Sequence, residues 1–170
     1  MKKLQNQVQA TPRQQAQARY NSARVNLLLM IILTAVNIIL SFLKVDYYLL
    51  FSATIPYLSV VFASVSGYTE FLVVAVCIAA IILIVYLLCW IFSKKQYGWM
   101  IAALVLFALD TVAMAGFFIF TGEFSGILDA IIHVVVLYYL IMGTVSGVKL
   151  SKLPEEIEEE ELTPPAEEQE

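Results

Sequence analysis

The sequence predicts an all-α integral membrane protein: a four-helix transmembrane bundle with an external interfacial or re-entrant segment. The chain of 170 residues is 61% hydrophobic and only 14% charged, which is far from the composition of a soluble domain. Four apolar stretches each have about the length that a helix needs to cross a hydrocarbon core of roughly 30 Å. These stretches are 27–43, 71–92, 99–120 and 127–148.

The basic residues supply the third observation. If the N-terminus is cytoplasmic and the chain crosses four times, every Lys and Arg except Lys44 falls on the cytoplasmic side. This bias is the positive-inside pattern of membrane proteins. It predicts that both tails are cytoplasmic.

Residues 1–24 are expected to form a cytoplasmic, basic extension of the first helix. Thr11 is suited to the N-cap, Pro12 to the first helical position, and Gln14 completes a capping box. A cleavable signal peptide is not expected, because about twenty polar residues precede the apolar run and no small-residue cleavage site follows Leu43. The extension is too short and too poor in stacking side chains to predict nucleic-acid binding.

Residues 47–66 are the main ambiguity of the topology. They are largely apolar, but Pro56 lies near their centre and several Ser and Thr residues are scattered along them. As a fifth crossing they would move Lys94 and Lys95 outside and remove the charge bias. We therefore expect an external element that is broken at Pro56 and lies in the interface or re-enters the membrane, with five crossings as the alternative.

Residues 151–170 have a different composition from the rest of the chain. Most of the acidic residues of the protein are glutamates of this stretch, and Pro164-Pro165 interrupts it. With almost nothing to bury, it is expected to be a disordered, acidic cytoplasmic tail. It is either simply solvated or a docking segment for a cytoplasmic partner.

The sequence predicts no cofactor and no metal site. Cys77 and Cys89 are twelve residues apart on one predicted helix, which separates them by about 18 Å and prevents a disulfide between them. A single histidine and no Cys-x-x-Cys motif argue against a zinc site built from Cys and His.

Asp110 is the residue that most needs an explanation. It lies near the middle of the third predicted span, where an ionised Asp costs about 2.5–3.5 kcal/mol. Protonation or a partner within the bundle would remove that cost. Alanines at 103 and 113 on its helical face would allow another helix to approach closely.

The last predicted span offers the partner. On a helical wheel, Asp129, His133 and Gly147 share one small and polar face, whereas the opposite face is apolar. Gly143 and Gly147 also form a Gly-x-x-x-Gly pair, which is typical of close helix packing.

Depth can be compared because the four-crossing topology fixes the direction of each helix. At 1.5 Å per residue, Asp129 lies about 3 Å below the outer end, Asn37 and His133 about 9 Å, and Asp110 about 15 Å. These four residues are therefore predicted to form a polar cluster that runs from the outer surface to the midplane. It is either a structural cluster or a pathway for protons or ions.

Three classes of function follow, none supported by a specific motif. The first is an accessory or structural subunit, or a scaffold, of the membrane. The second is a proton- or ion-coupled transporter or channel subunit that uses Asp110 and His133, which with four helices would need a homo-oligomer or a larger membrane complex. The third and weakest is an intramembrane hydrolase that pairs His133 with Ser52, Thr54 or Ser59. We expect a bacterial plasma membrane as the location.

Overall fold

The computed structural model describes residues 11–45, 47–122 and 127–154, and all regular structure within these ranges is helical. Four helices are long and apolar enough to cross a membrane, and a shorter apolar helix of 12 residues lies between the first two of them. In chain order the helices are α1 (Pro12–Phe42), α2 (Thr54–Val65), α3 (Thr69–Phe92), α4 (Gly98–Thr121) and α5 (Ile127–Leu150). The predicted four-helix membrane bundle is therefore confirmed. At 1.5 Å per residue α2 is only about 18 Å long, too short for a fifth crossing.

Helix α1 begins as the sequence predicts. The Thr11 hydroxyl accepts a hydrogen bond from the Gln14 backbone N–H at 3.1 Å, and the Gln14 side chain accepts one from the Thr11 N–H at 3.1 Å. Pro12 occupies the first turn, where no N–H is needed. With no breaker before Phe42, the helix continues for 31 residues.

The core of the bundle is the antiparallel contact of α1 with α5, and α5 packs in turn on α4. Two glycines of α5 allow this close approach. A Cβ atom at Gly143 would overlap the side chain of Ala23, and one at Gly147 would lie 3.0 Å from the rings of Tyr20 and the Cβ of Tyr97. The sequence predicts helix packing at both glycines, and both lie where side chains of other elements approach the backbone of α5 closely.

We call the end of the bundle at which α1 begins the basic end, and the other the distal end. At the basic end Arg24 donates to the Ser93 hydroxyl at 3.0 Å and to the Trp90 carbonyl at 3.2 Å. Arg13 donates to the carbonyls of Leu153 and Pro154, each at 2.9 Å. Arg24 therefore binds a carbonyl in the last turn of α3, where the helix dipole favours a cation, and Arg13 binds carbonyls of the residues that follow α5.

The outer faces of the helices are apolar and exposed, as a lipid-facing surface requires. On α5 the side that the sequence predicts to face lipid is open, with Val134, Tyr138 and Val145 each more than half exposed. The predicted acidic tail falls mainly on residues 155–170, and part of the basic extension on residues 1–10. Those parts of both predictions lie outside the described residues.

Helix α2 belongs to a segment that enters the bundle and leaves it at the same end. From Lys44 at the distal end of α1, the chain descends until the Ala53 N–H reaches the hydroxyl of Thr34 at 2.8 Å. Helix α2 then returns alongside α4, so that Phe62 contacts Phe117 with ring centroids 5.8 Å apart. The segment is thus re-entrant. Pro56 lies in the first turn of α2 rather than between two helices, because proline is tolerated there.

Candidate functional site

The candidate site is the N-terminus of α2. It lies inside the bundle, next to the middle of α4. Helix α2 has no side-chain cap of its own. The backbone N–H groups of a first helical turn have no partner within the helix, and leaving them unpaired inside a membrane costs several kcal/mol each. Other helices must therefore supply the acceptors.

Asp110 of α4 supplies two of these acceptors. One carboxylate oxygen accepts the Thr54 N–H at 2.8 Å and the other accepts the Ile55 N–H at 2.7 Å. Thr34 of α1 accepts the Ala53 N–H, and Pro56 has no N–H. Every backbone position at the start of α2 is accounted for. The carboxylate of Asp110, with only 1% of the residue exposed, also lies at the positive end of the α2 dipole.

His133 of α5 completes the contacts of Asp110. Its Nε2 atom lies 3.3 Å from the Asp110 Oδ2 atom and 3.1 Å from the Thr54 hydroxyl. Its Nδ1 atom lies 3.0 Å from the backbone oxygen of Asp129, which can only accept, so Nδ1 carries a proton. Nε2 then either donates to Asp110 as part of an imidazolium or accepts from Thr54 as part of a neutral ring.

An aromatic ring covers the histidine on one face. The Phe107 ring is nearly parallel to the imidazole, with centroids 5.0 Å apart and an angle of 15° between the planes. Both residues are fully buried. The stacking excludes solvent from His133 and fixes the orientation of its ring.

Asn37 of α1 holds the descending part of the re-entrant segment. Its amide group donates to the Leu49 carbonyl at 2.7 Å and to the Ser52 hydroxyl at 3.0 Å, while its side-chain oxygen accepts the Leu49 N–H at 2.8 Å. Asn37 thereby pairs with Leu49 as a neighbouring strand would. Phe51 lies between these anchors at φ = 73°, a conformation that costs a non-glycine residue about 1–3 kcal/mol. The bonds of Asn37 on either side offset that strain.

Tyr48 links Asn37 to the acidic end of the cluster. The Tyr48 hydroxyl lies 2.8 Å from the Ser52 hydroxyl and donates to the Asp129 Oδ2 atom at 3.1 Å. Burial raises the pKa of Tyr48 well above its usual range, so this hydroxyl keeps its proton. The four polar residues predicted from the sequence are therefore connected, but Asn37 reaches the others only through Ser52 and Tyr48.

Asp129 differs from the other members of the cluster. It is 8% exposed, and among the described residues its Oδ1 atom has no hydrogen-bond partner. That atom lies 3.8 Å from His133 Nδ1, whose proton is directed to the backbone oxygen of Asp129 instead. Two carboxyl groups and one imidazole thus share the site, and even an imidazolium leaves one potential negative charge in excess.

The Thr54–His133 contact resembles the nucleophile–base pair of a hydrolase, but neighbouring contacts oppose that use. Asp110 competes with Thr54 for the same imidazole nitrogen. The Thr54 and Ile55 N–H groups, which an oxyanion hole would require, are already bound by Asp110. The arrangement is better suited to holding α2 than to acyl transfer.

Within residues 11–45, 47–122 and 127–154, no three or more His, Cys, Asp and Glu side chains are grouped as metal ligands. The imidazole nitrogens of His133 are both directed at protein oxygens, which leaves neither free to coordinate a metal.

Sequence reasoning missed the partners that give the cluster its geometry. The sequence does not predict that Thr34, Tyr48 and Ser52 belong to the cluster. Two partners of Asp110 are backbone N–H groups, which every residue except proline has and which a sequence pattern therefore does not single out. One signal was present in the sequence. Pro56 is favoured in the first turn of a helix and thus marked a helix start near residue 54.

The fold and this cluster together define the class of the protein. It is a helical integral membrane protein whose re-entrant helix begins on a buried carboxylate. No protein-family model matches the chain, and neither a curated protein nor a solved structure is significantly similar to it.

Proposed function

We propose that this protein is an accessory or scaffold subunit of the membrane, and that its polar cluster serves to hold the re-entrant segment. The binding of both Asp110 oxygens by the first turn of α2 carries this proposal. A group that must release or exchange a ligand needs free coordination positions, whereas the oxygens of Asp110 are taken up by the protein itself. The cluster then determines which surface the segment presents to partners.

The proposal includes a location and a set of partners. We place the protein in the plasma membrane of a bacterium with both termini in the cytoplasm, because that orientation puts all Lys and Arg residues except Lys44 inside. The lipid bilayer surrounds α1, α3, α4 and α5. A homo-oligomer or a larger membrane complex is the proposed assembly, and the acidic residues 155–170 are a proposed docking segment for a cytoplasmic partner.

The orientation can be tested at Gln96, in the turn between α3 and α4. A Gln96→Cys variant in a background with Cys77 and Cys89 replaced by alanine is expected to resist a membrane-impermeant maleimide in intact cells and to react after lysis. Tyr68→Cys, before α3 at the distal end, is the matched control and is expected to react in intact cells. Labelling of Gln96→Cys from outside would overturn the orientation.

A second candidate is a proton- or ion-coupled transporter or channel subunit. The specific observation in its favour is the continuity of the cluster from Tyr48 through Asp129 and His133 to Asp110. Titratable groups buried in a membrane frequently mark such pathways. Asp129 is the member of the cluster with a buried carboxyl oxygen, Oδ1, that has no hydrogen-bond partner among the described residues.

Flux measurements separate the two candidates. Under the accessory proposal, purified wild-type protein in liposomes is expected to give no more proton, sodium or potassium flux than empty liposomes. Asp129→Asn, which keeps the shape of the side chain and removes its charge, and Glu70→Gln, an exposed control on α3, would be measured in parallel. Flux that is present in wild type and Glu70→Gln but absent in a folded Asp129→Asn protein would favour transport.

The subunit role itself is tested by gentle extraction of the full chain from its native membrane. We expect the protein to migrate as a complex larger than the 19.0 kDa chain and its detergent. Migration as a single chain at every detergent concentration would contradict the proposed assembly.

A further inference from the structure

A cavity opens beside the polar cluster, on the side of α2 that faces the distal ends of α4 and α5. Its volume is about 290 Å³, which is close to the lower end of ligand pockets, roughly 300–1,000 Å³. It is large enough for a small head group and a short apolar segment. Most of its wall is apolar and includes Leu58, Met114, Phe117 and Leu128.

The polar part of the wall is small and carries the charge. The described lining residues with polar side chains are Tyr48, Thr54, Tyr57 and Asp129, and Asp129 is the acidic one among them. The Tyr48 hydroxyl donates a hydrogen bond to Asp129, and Tyr48 is the only described side chain that forms a hydrogen bond with that carboxyl group. An ionised carboxylate in an apolar environment requires a counter-charge or further donors.

The protein provides no lysine or arginine for this purpose within the described residues that line the cavity. Lys44 lines a different, exposed depression, and the described Arg residues of α1 lie toward the basic end. His133 is adjacent, but its Nε2 atom is directed to Asp110 and Thr54. When its carboxyl group is ionised, Asp129 therefore has no lysine or arginine partner among the described residues of this cavity, and the nearest basic group is His133, whose Nδ1 atom lies 3.8 Å from the Asp129 Oδ1 atom.

Aromatic rings next to the carboxylate suit the same kind of ligand. Tyr48 and Tyr57 pack with ring centroids 4.9 Å apart, and both line the cavity, as does Phe117. Ring faces attract organic ammonium groups, and the attraction increases when the ligand is removed from water.

From these features we propose that the cavity binds the ammonium group of an amphiphile, with Asp129 as its counter-ion and the apolar wall in contact with its chain. The ammonium group can belong to a free amphiphilic amine or to the head group of an aminophospholipid, since both present a cation on an apolar body. This assignment goes beyond the proposed subunit role and does not depend on it.

The test uses the full chain in maltoside micelles and isothermal titration calorimetry. Dodecyltrimethylammonium is expected to bind saturably at one molecule per chain, whereas dodecanol, with the same chain and no charge, is not. Asp129→Asn is expected to weaken binding about tenfold or more, as loss of a buried charge pair does. Glu70→Gln, which removes an exposed carboxylate of α3 away from the cavity, should bind as the wild type does.

A second variant keeps the proposal testable if Asp129→Asn does not fold. Leu58→Trp adds a large side chain to the cavity wall and leaves Asp129 in place, so it is expected to abolish binding while the thermal unfolding midpoint changes little. Equal affinity for dodecanol, wild-type affinity of a folded Asp129→Asn protein, or wild-type affinity of Leu58→Trp would each overturn the proposal.

The source of the ligand is distinguished in bilayers. The probe is titrated into protein reconstituted in phosphatidylglycerol nanodiscs with and without phosphatidylethanolamine, with empty nanodiscs subtracted. A weaker apparent affinity when phosphatidylethanolamine is present assigns the cavity to the lipid head group. An unchanged affinity assigns it to a free amine.

Discussion

Replacing Asp110 with alanine is expected to lower the free energy of unfolding by about 3–5 kcal/mol, the cost of breaking a buried, charge-assisted interaction. The Thr54 and Ile55 N–H groups would lose their acceptors inside the bundle, and His133 would lose a partner. The measurement is unfolding of the purified protein in mixed micelles, followed by circular dichroism.

Asparagine at position 110 is expected to be an incomplete replacement. The sequence alone suggests that it would be tolerated at a structural site, because it keeps the volume and the hydrogen bonds of aspartate. The geometry changes this expectation, since both oxygens accept N–H groups and the amide NH₂ of asparagine would face one of those donors. We expect the free energy of unfolding of Asp110→Asn to lie between those of the wild type and Asp110→Ala.

The neighbouring Thr111 provides the control. Among the described residues, its hydroxyl bonds only to the Phe107 carbonyl one turn earlier on the same helix, at 2.8 Å. Thr111→Val should therefore change stability by less than about 1 kcal/mol. If Asp110→Ala were as stable as Thr111→Val, Asp110 would not be the cap of α2.

Adding one methyl group at Gly143 is the second substitution with a large expected effect. The new Cβ would overlap the side chain of Ala23, which is itself fully buried at the contact of α1 with α5. Neither helix can move without disturbing the other contacts of the interface, so Gly143→Ala is expected to cost about 1–3 kcal/mol.

Gly116 on α4 gives a matched comparison. It also lies inside a helix, but no atom apart from those of its chain neighbours and its own helix backbone is within 4 Å of the position its Cβ would take. Gly116→Ala should therefore leave the stability unchanged or raise it by about 0.5–1 kcal/mol, since alanine favours the helix. The same unfolding assay applies to both variants, and similar effects of the two would refute close packing at Gly143.

The helices and the contact between Asp110 and His133 could be predicted from the sequence. Apolar length determined the spans, and the capping box located the start of α1. The wheel of α5 placed Asp129 and His133 on one buried face, and depth counting brought His133 within reach of Asp110. These inferences depend on helical periodicity and bilayer thickness, which are properties of the chain and its solvent.

The details of the re-entrant segment could not be predicted in the same way. The buried stripe of α1 passes through Thr34 and Asn37, whereas Asn26 is only partly buried and bonds to Ser22 on its own helix. Which hydroxyl group of α1 accepts a hydrogen bond depends on the path of the non-helical backbone between α1 and α2. That path depends on tertiary contacts and has no sequence period.

The capping of α2 by a later helix has a consequence for the order in which the protein is assembled during translation. The Thr54 and Ile55 N–H groups precede their acceptor by more than fifty residues, so α2 emerges from the ribosome before α4 exists. Until α4 is inserted, the start of α2 has no carboxylate to bind and is better solvated at the membrane surface than in its interior. We expect the segment to descend only after α4 has crossed, as a late step of insertion.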